Sequence, residues 1–339
     1  MLTAIVMWLQ TVLDDTGYLV PALMLAAGIL LVIKGGDWFV DAASAIAKML
    51  GVPTFIIGTT IVSIATTLPE MIVSITAAAQ SRTSLDAQGS IDMAIGNAVG
   101  SVTANTALIM ALAFVFLPVV ISRREYIAQS MMLIGAAALL WLGSIGGQLE
   151  FFAGAILICI FVAFMVLNVR NAKRSALPAE EKEEFTKADV IKNIFFFVLG
   201  ADAIVGGSQL LVDGGGALAT ALGVPERIIA VTLVAIGTSL PELVTTLTAI
   251  RKKESALSVG NVIGANVIDL SLILPICSVV SGQRLPVTPV SILLDFPFCL
   301  GVILIAVLPL LIRQKASKVQ GILLLSVYTV YLVLTVGQM

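Results

Sequence analysis

From residue 18 to residue 338 the chain is a succession of apolar stretches, separated by short polar or glycine-proline breaks. Each stretch is about 20 residues or longer, enough to cross the hydrocarbon layer of a bilayer as one helix. Ten spans are predicted, at 18–46, 53–81, 91–117, 125–144, 150–170, 193–221, 228–250, 256–280, 289–312 and 320–338. Only 12% of the 339 residues are charged, against 59% hydrophobic. A soluble chain carries roughly twice that charged share, and a soluble helical core could not hide so much apolar surface. The fold class expected is an all-α polytopic membrane protein. Residues 1–16 have no basic leader region and no small-residue cleavage site, so they read as an extra-membrane or interfacial lead-in rather than a secretory signal.

Basic residues set the orientation. With the N-terminus outside, the inside loops collect most of the 19 lysines and arginines, among them Lys48, Arg123, Arg174, Arg251, Lys252 and Arg313. Only Arg82, Arg227 and Arg284 fall outside, and Lys34 lies within the first span. Ten spans with both termini outside the cell, or inner, membrane is the favoured plan.

The chain repeats itself. "GVP" at 51–53 returns at 223–225, "ATTLPE" at 65–70 returns as "GTSLPE" at 237–242, and Asp41 returns as Asp213. A second motif, "GNAVGSVTAN" at 96–105, returns as "GNVIGANVID" at 260–269. One repeat holds five spans, an odd number, so the second copy crosses the membrane in the opposite sense. Inverted-topology repeats of this kind place a transport site near the midplane, where the copies face each other. The expected division is a first five-helix repeat over 1–170 (motif region 58–110), a cytoplasmic linker over 171–192, and a second repeat over 193–339 (motif region 230–274).

Within the first motif Ser63, Thr66, Thr67, Glu70 and Ser74 are spaced to share one helix face. Their partners are Ala235, Thr238, Ser239, Glu242 and Thr246. Pro69 and Pro241 each remove a backbone donor and press on the carbonyl four residues back, at Ala65 and Gly237. A kink is expected there, freeing carbonyls near Thr66 and Thr238 to coordinate a ligand. In the second motif Asn97, Ser101 and Asn105 share a face, matched by Asn261, Ala265 and Asp269. Gly96, Gly100, Gly260 and Gly264 stand at GxxxG spacing, which permits close helix approach.

These groups are hard oxygen donors: three carboxylates (Glu70, Glu242, Asp269), amides, hydroxyls and carbonyls. They suit Ca2+ or Na+ and disfavour zinc or copper. The sequence has no histidine, which removes HExxH zinc chemistry and Ser-His hydrolysis. Cys159, Cys277 and Cys299 lie inside apolar spans without metal-ligand spacing. A carboxylate at mid-bilayer costs at least ~2.5–3.5 kcal/mol, and no lysine or arginine accompanies the motifs. The compensating charge is therefore mobile, which makes it a substrate, and no resident cofactor is expected. Serine-threonine stripes and single proline kinks also occur as plain helix-joining features. A Pro-Glu pair repeated at matched positions, each followed by a polar second motif, is harder to explain that way.

"ATTLPE" with "GNAVGSVTAN", and "GTSLPE" with "GNVIGANVID", resemble the two α-repeats of the sodium/calcium exchanger family, in the cation/Ca2+ antiporter superfamily. The "GGDWFVDAA" run at 35–43 is similar to that family's first helix. The resemblance covers nearly the whole chain and implies ten helices in two inverted five-helix repeats. It implies exchange of Ca2+ for Na+ by alternating access. The site residues it implies are Glu70, Glu242, Asn105, Asp269, Thr66, Thr67, Ser101, Thr238 and Ser239, with Ala235 through its backbone. It makes the first and sixth spans the sliding elements, with Asp41 and Asp213 peripheral. Partners are the two ions and the lipid bilayer, with no nucleic acid and no obligate protein partner.

The sequence departs from the family pattern at Ala265, where serine is common, and at Ser63, Ala65 and Thr67, where alanine, glycine and serine are usual. These exchanges bear on stoichiometry and on the cation preferred. Proton-coupled relatives carry GNxxE in both repeats, whereas Gly100 and Gly264 occupy that position here. Other readings are a proton-coupled Ca2+ exchanger, an exchanger of another cation, a cation channel, and an intramembrane aspartyl protease built on Asp41 and Asp213.

Overall fold

The computed structural model describes residues 19–83, 86–116, 123–175, 185–221 and 237–337. Ala235, the first part of the seventh span (228–236), the loop 223–227 and the lead-in 1–16 lie outside the described residues. The helices are α1 Leu19–Leu50, α2 Thr54–Thr66, α3 Leu68–Gln80, α4 Ala87–Phe116, α5 Arg123–Gly143, α6 Phe151–Ser175, α7 Lys187–Ala221, α8 Leu240–Lys252, α9 Ser255–Ser281, α10 Ser291–Arg313 and α11 Lys318–Gly337. Among the described residues eight helices are long and apolar enough to cross a membrane, and α2 with α3 forms a ninth span bent by 47°. Helix α8 is the described part of the predicted seventh span. The predicted spans and these helices agree to within a few residues. The linker expected over 171–192 is shorter than that, because α6 continues to Ser175 and α7 begins at Lys187. Thr186 and Asp189 cap the start of α7 reciprocally, each side chain accepting from the other's backbone N–H.

The spans differ in how deeply they sit. In α4 and α9 the apolar window is 72% and 83% buried, against 39% or less in the other unbroken spans. These two helices carry the second motif of each repeat, so the polar motif lies at the centre of the bundle. Helices α1 and α7 run antiparallel along one flank. Gly28 lies against Gly207 and Gly35 against Gly200, where an added Cβ would come within 2.9 Å of a backbone oxygen. Glycine lets the two backbones touch. The loops after α5 and after α9 are tied by a two-residue ladder, β1 Gln148–Leu149 with β2 Leu285–Pro286, antiparallel. An Arg284–Glu150 ion pair closes it.

The kink expected in the first motif is present, but shifted, and the described start of the second motif has the same backbone angles at the matched residue. The first break falls at Thr67 (φ −84°, ψ −1°) and the second at Ser239 (φ −88°, ψ 5°), each two residues before its proline. Proline is tolerated in the first turn of a helix, where its missing N–H has no partner anyway. The chain therefore ends one helix at the hydroxyl residue and starts the next around the proline. The backbone angles match at positions 172 residues apart.

The central helices also carry wide π-turns, at Gly58–Val62, Asn105–Met110, Asp269–Ile273 and Ser291–Asp295. Two of them begin on Asn105 and Asp269, the matched residues of the second motif. Such bulges concentrate at functional sites, because they re-aim one side chain without breaking the helix.

Candidate cation site

Glu70 sits in the first turn of α3 and Glu242 in the first turn of α8, immediately after the two kinks. Asp269 lies mid-way along α9. All three carboxylates are fully buried. Glu70 is within electrostatic reach of both Glu242 and Asp269, and Asp269 is within reach of Glu242.

A hydroxyl of the first repeat serves a carboxylate of the second. Thr67 donates to Glu242 Oε1 at 3.2 Å, and Ser239, which matches Thr67, lies beside Glu70. Thr66 lies beside Glu242 and donates to Asn261 Oδ1 at 3.1 Å. Its counterpart Thr238 donates to Asn97 Oδ1 at 3.2 Å. The two threonine–asparagine bonds are the same contact made twice, once in each direction across the repeat interface. Ser239 also donates to Ser101 at 3.3 Å. Its mirror image, Thr67 toward residue 265, has no partner hydroxyl because residue 265 is alanine.

Both oxygens of Glu70, both of Asp269 and Oε2 of Glu242 have no hydrogen-bond partner among the described residues. Neither amide atom of the buried Asn105 has one either. A buried unpaired polar atom costs ~1–3 kcal/mol and a charged one more. A set of this kind at the centre of a bundle is organised for something other than stability. Among the described residues no three carboxylate or thiolate side chains are close enough to hold a metal ion by themselves. A cation centred here needs the hydroxyl and amide oxygens between the carboxylates as well.

Glu70, Glu242, Asp269, Thr66, Thr67, Ser101 and Ser239 thus converge, all buried. Thr238 is half-buried and lines a cavity. Asn105 is buried in the same core, without a hydrogen bond to the others. Ala235 lies outside the described residues. Asn97 and Asn261 were visible in the sequence as motif residues, but their cross-repeat bonds to the threonines were not. Asn97 additionally donates to the Glu70 carbonyl at 3.2 Å and to Ser74 at 2.9 Å, bracing the turn that carries the carboxylate. A buried Asn266–Thr106 bond of 2.8 Å joins α9 to α4 with no sequence signal to announce it.

A cavity of about 760 Å3 runs beside α7, from Pro69, Thr238 and Pro241 to Gln209 and Asp213. Asp202 also lines it, so its mostly apolar wall carries two carboxylates. Asp41 and Asp213 lie near opposite ends of the α1–α7 pair, which parts them too far to act as a protease dyad.

The family model described as sodium/calcium exchanger protein matches residues 20–170 and 192–337. An uncharacterized membrane protein of Methanocaldococcus jannaschii is 30% identical over 307 residues, covering 89% of this chain and 94% of its own. The sodium/calcium exchanger MaX1 of Methanosarcina acetivorans is 30% identical, over 92% of this chain and 97% of its own. The inner membrane protein YrbG of Escherichia coli is 32% identical, over 93% and 96%. A solved structure of the sodium-calcium exchanger NCX_Mj, soaked with Na+ and Sr2+, superimposes with a TM-score of 0.77 at 27% identity, covering 93% of this chain and 99% of that one. The fold is that of a polytopic helical membrane protein of ten spans in two inverted five-helix repeats.

Proposed function

Because the chain belongs to the sodium/calcium exchanger protein family, and is thus a multi-pass membrane cation antiporter rather than an enzyme, we propose that it exchanges Ca2+ for Na+ by alternating access. The observation that carries this reading is the group of unpartnered carboxylate oxygens of Glu70, Glu242 and Asp269 at the bundle centre.

Glu70 and Glu242 hold the cation from opposite sides. Thr67 orients Glu242, and Ser239 stands beside Glu70, whose two oxygens are left free for the cation. Asp269, Asn105, Ser101, Thr66 and Thr238 supply the remaining oxygens, with Ala235 contributing through its carbonyl. Ca2+ takes about 6–8 oxygens and tolerates irregular geometry, which suits a site of mixed carboxylate, amide and hydroxyl donors.

Exchange rather than leak follows from charge. With all three carboxylates ionised and no cation bound, moving the site past apolar surroundings is costly. One Ca2+ or several Na+ lower that cost, and both compete for Glu70 and Glu242. Gly100 and Gly264 replace the extra acids of proton-coupled relatives, which favours Na+ as the counter-ion. Asp202 and Asp213 line the cavity leading to Thr238 and raise the local cation concentration there. The basic-loop bias puts both termini outside, in the cell membrane.

The deciding experiment is 45Ca2+ flux in proteoliposomes, under a Na+ gradient and then under a pH gradient. Uptake driven by outward Na+ and lost in Glu70→Gln is the expected result. Flux that ignores Na+, or that survives Glu70→Gln, removes the assignment.

A further inference from the structure

Helix α1 is fastened to α8 by charge at the face that carries Lys48 and Arg251. The Arg251 guanidinium pairs with the Asp37 carboxylate. Lys252 Nζ lies 3.5 Å from Asp37 and 2.5 Å from Asp41, and donates to the Asp37 backbone carbonyl at 3.2 Å. The acids belong to a flanking helix and the cations to the end of a helix that carries Glu242.

The repeat allows the same place to be inspected at the other face. The offset that carries Glu70 onto Glu242 carries Asp41 onto Asp213 and Asp37 onto Gln209. It carries Ala79 onto Arg251 and Gln80 onto Lys252. The second copy of the fastening therefore has one acid and no cation. Gln209 turns instead to Asp213 within α7, at 2.9 Å. Beside these two residues lies the large cavity that reaches Thr238. One face carries the ion pairs and the matched place at the other carries none but borders the large cavity, and the sequence difference falls at matched positions.

We propose that Asp37, Asp41, Arg251 and Lys252 form an electrostatic latch that holds the basic face closed and so sets the resting orientation of the transporter. This rests on alternating access, as in the function proposed above, but not on which cations are exchanged. Opening the basic face requires α1 to leave α8, which breaks the contacts of Lys252 and Arg251 together. Single exposed ion pairs contribute little, so the latch biases an equilibrium rather than locking it. Its loss shifts the populations by roughly threefold to tenfold. Salt weakens it, because its charges are partly exposed.

The test reads orientation directly. Val205 lines the open cavity, and the native cysteines are Cys159, Cys277 and Cys299. In a background with those three replaced by alanine, Val205→Cys is labelled by a membrane-impermeant maleimide in vesicles of defined sidedness, without gradients or Ca2+. The expected result is a lower labelling rate in Asp37→Asn/Asp41→Asn than in the parent, by up to about tenfold, as the equilibrium constant between orientations shifts about threefold to tenfold. Arg251→Gln/Lys252→Gln reaches the same latch from the other helix and must lower the rate alike. Unchanged labelling in both double variants, each eluting as the parent does in size-exclusion chromatography, overturns the latch. A parent protein that labels normally but shows no Na+-driven 45Ca2+ flux overturns the ion assignment and leaves the latch comparison standing.

Discussion

The hydroxyl of Thr67 donates across the repeat interface to Glu242 Oε1, 3.2 Å away. Ser239, the residue that matches Thr67, lies beside Glu70, the residue that matches Glu242. The first half thus supplies the hydroxyl that orients the second half's carboxylate, and the second half sets its matching hydroxyl beside the first half's carboxylate. Neither half contains a complete site, so the kinks do more than relieve proline strain: each break puts its last hydroxyl opposite the partner helix's first carboxylate.

Removing that hydroxyl is the gentlest probe of the arrangement. Thr67→Val keeps the shape and loses the donor. A hydrogen bond to a charged group contributes about 1.5–3 kcal/mol, so the half-saturating Ca2+ concentration is expected to rise about tenfold or more. Maximal 45Ca2+ flux should change much less. A rise in the Ca2+ requirement below twofold would show that Thr67 does not serve the cation.

Glu70→Gln separates stability from transport. The variant keeps the volume and removes one of three mutually repelling buried carboxylates. Without divalent cations its thermal midpoint is expected at or above that of the parent. The parent should gain about 2.7 kcal/mol at a Ca2+ concentration one hundred times its dissociation constant, and the variant should gain almost none. The comparison is a thermal melt with and without Ca2+. A parent whose midpoint does not respond to Ca2+ argues that the cation is held elsewhere.

Much of this was legible in the residues. Pro69 and Pro241 announced the kinks, and Glu70, Glu242 and Asp269 announced a charge in need of a counter-ion. Both follow from local chemistry, which a single stretch of sequence carries. The π-turns at Asn105 and Asp269 were not legible, because a shift from i+4 to i+5 hydrogen bonding leaves no trace in composition. The Asp37–Arg251 pair was hidden for a different reason: it joins residues 214 apart, and nothing in either segment names the other. The break at Thr67, rather than nearer Ala65, reflects the freedom of proline to occupy the first turn of a new helix.

Ala265 marks where the two halves differ chemically. Ser101 receives a hydrogen bond from Ser239, and the mirror position offers Thr67 only a methyl group. Ala265→Ser adds a hydroxyl at the position that matches Ser101, at a small cost in packing. The expected outcome is a change of about twofold to fivefold in the Na+ concentration that half-inhibits Ca2+ uptake, the scale of one hydrogen bond. Competition curves for Na+ against 45Ca2+ measure it. An unchanged curve would place the ion preference outside this pair of positions.

The four motif glycines have identical spacing and different surroundings. A Cβ on Gly260 would lie 2.4 Å from the Phe55 carbonyl oxygen, and one on Gly264 would lie 2.4 Å from Ser63 Oγ and 2.7 Å from the Thr59 carbonyl. The obstacles at both positions include backbone, which cannot rotate away. Around Gly96 and Gly100 nothing among the described residues comes within 4 Å of such a Cβ. Gly260→Ala and Gly264→Ala are therefore expected to destabilise by about 1–3 kcal/mol or more, as overpacked cores do, while Gly96→Ala and Gly100→Ala stay close to the parent. Thermal melts in detergent compare all four. Equal losses at Gly96 and Gly260 would mean that the first motif is packed as tightly as the second. Unequal losses would locate the tight helix contact at α2 with α9, and the added methyl of Gly264→Ala would then also displace Ser63 from the first kinked helix.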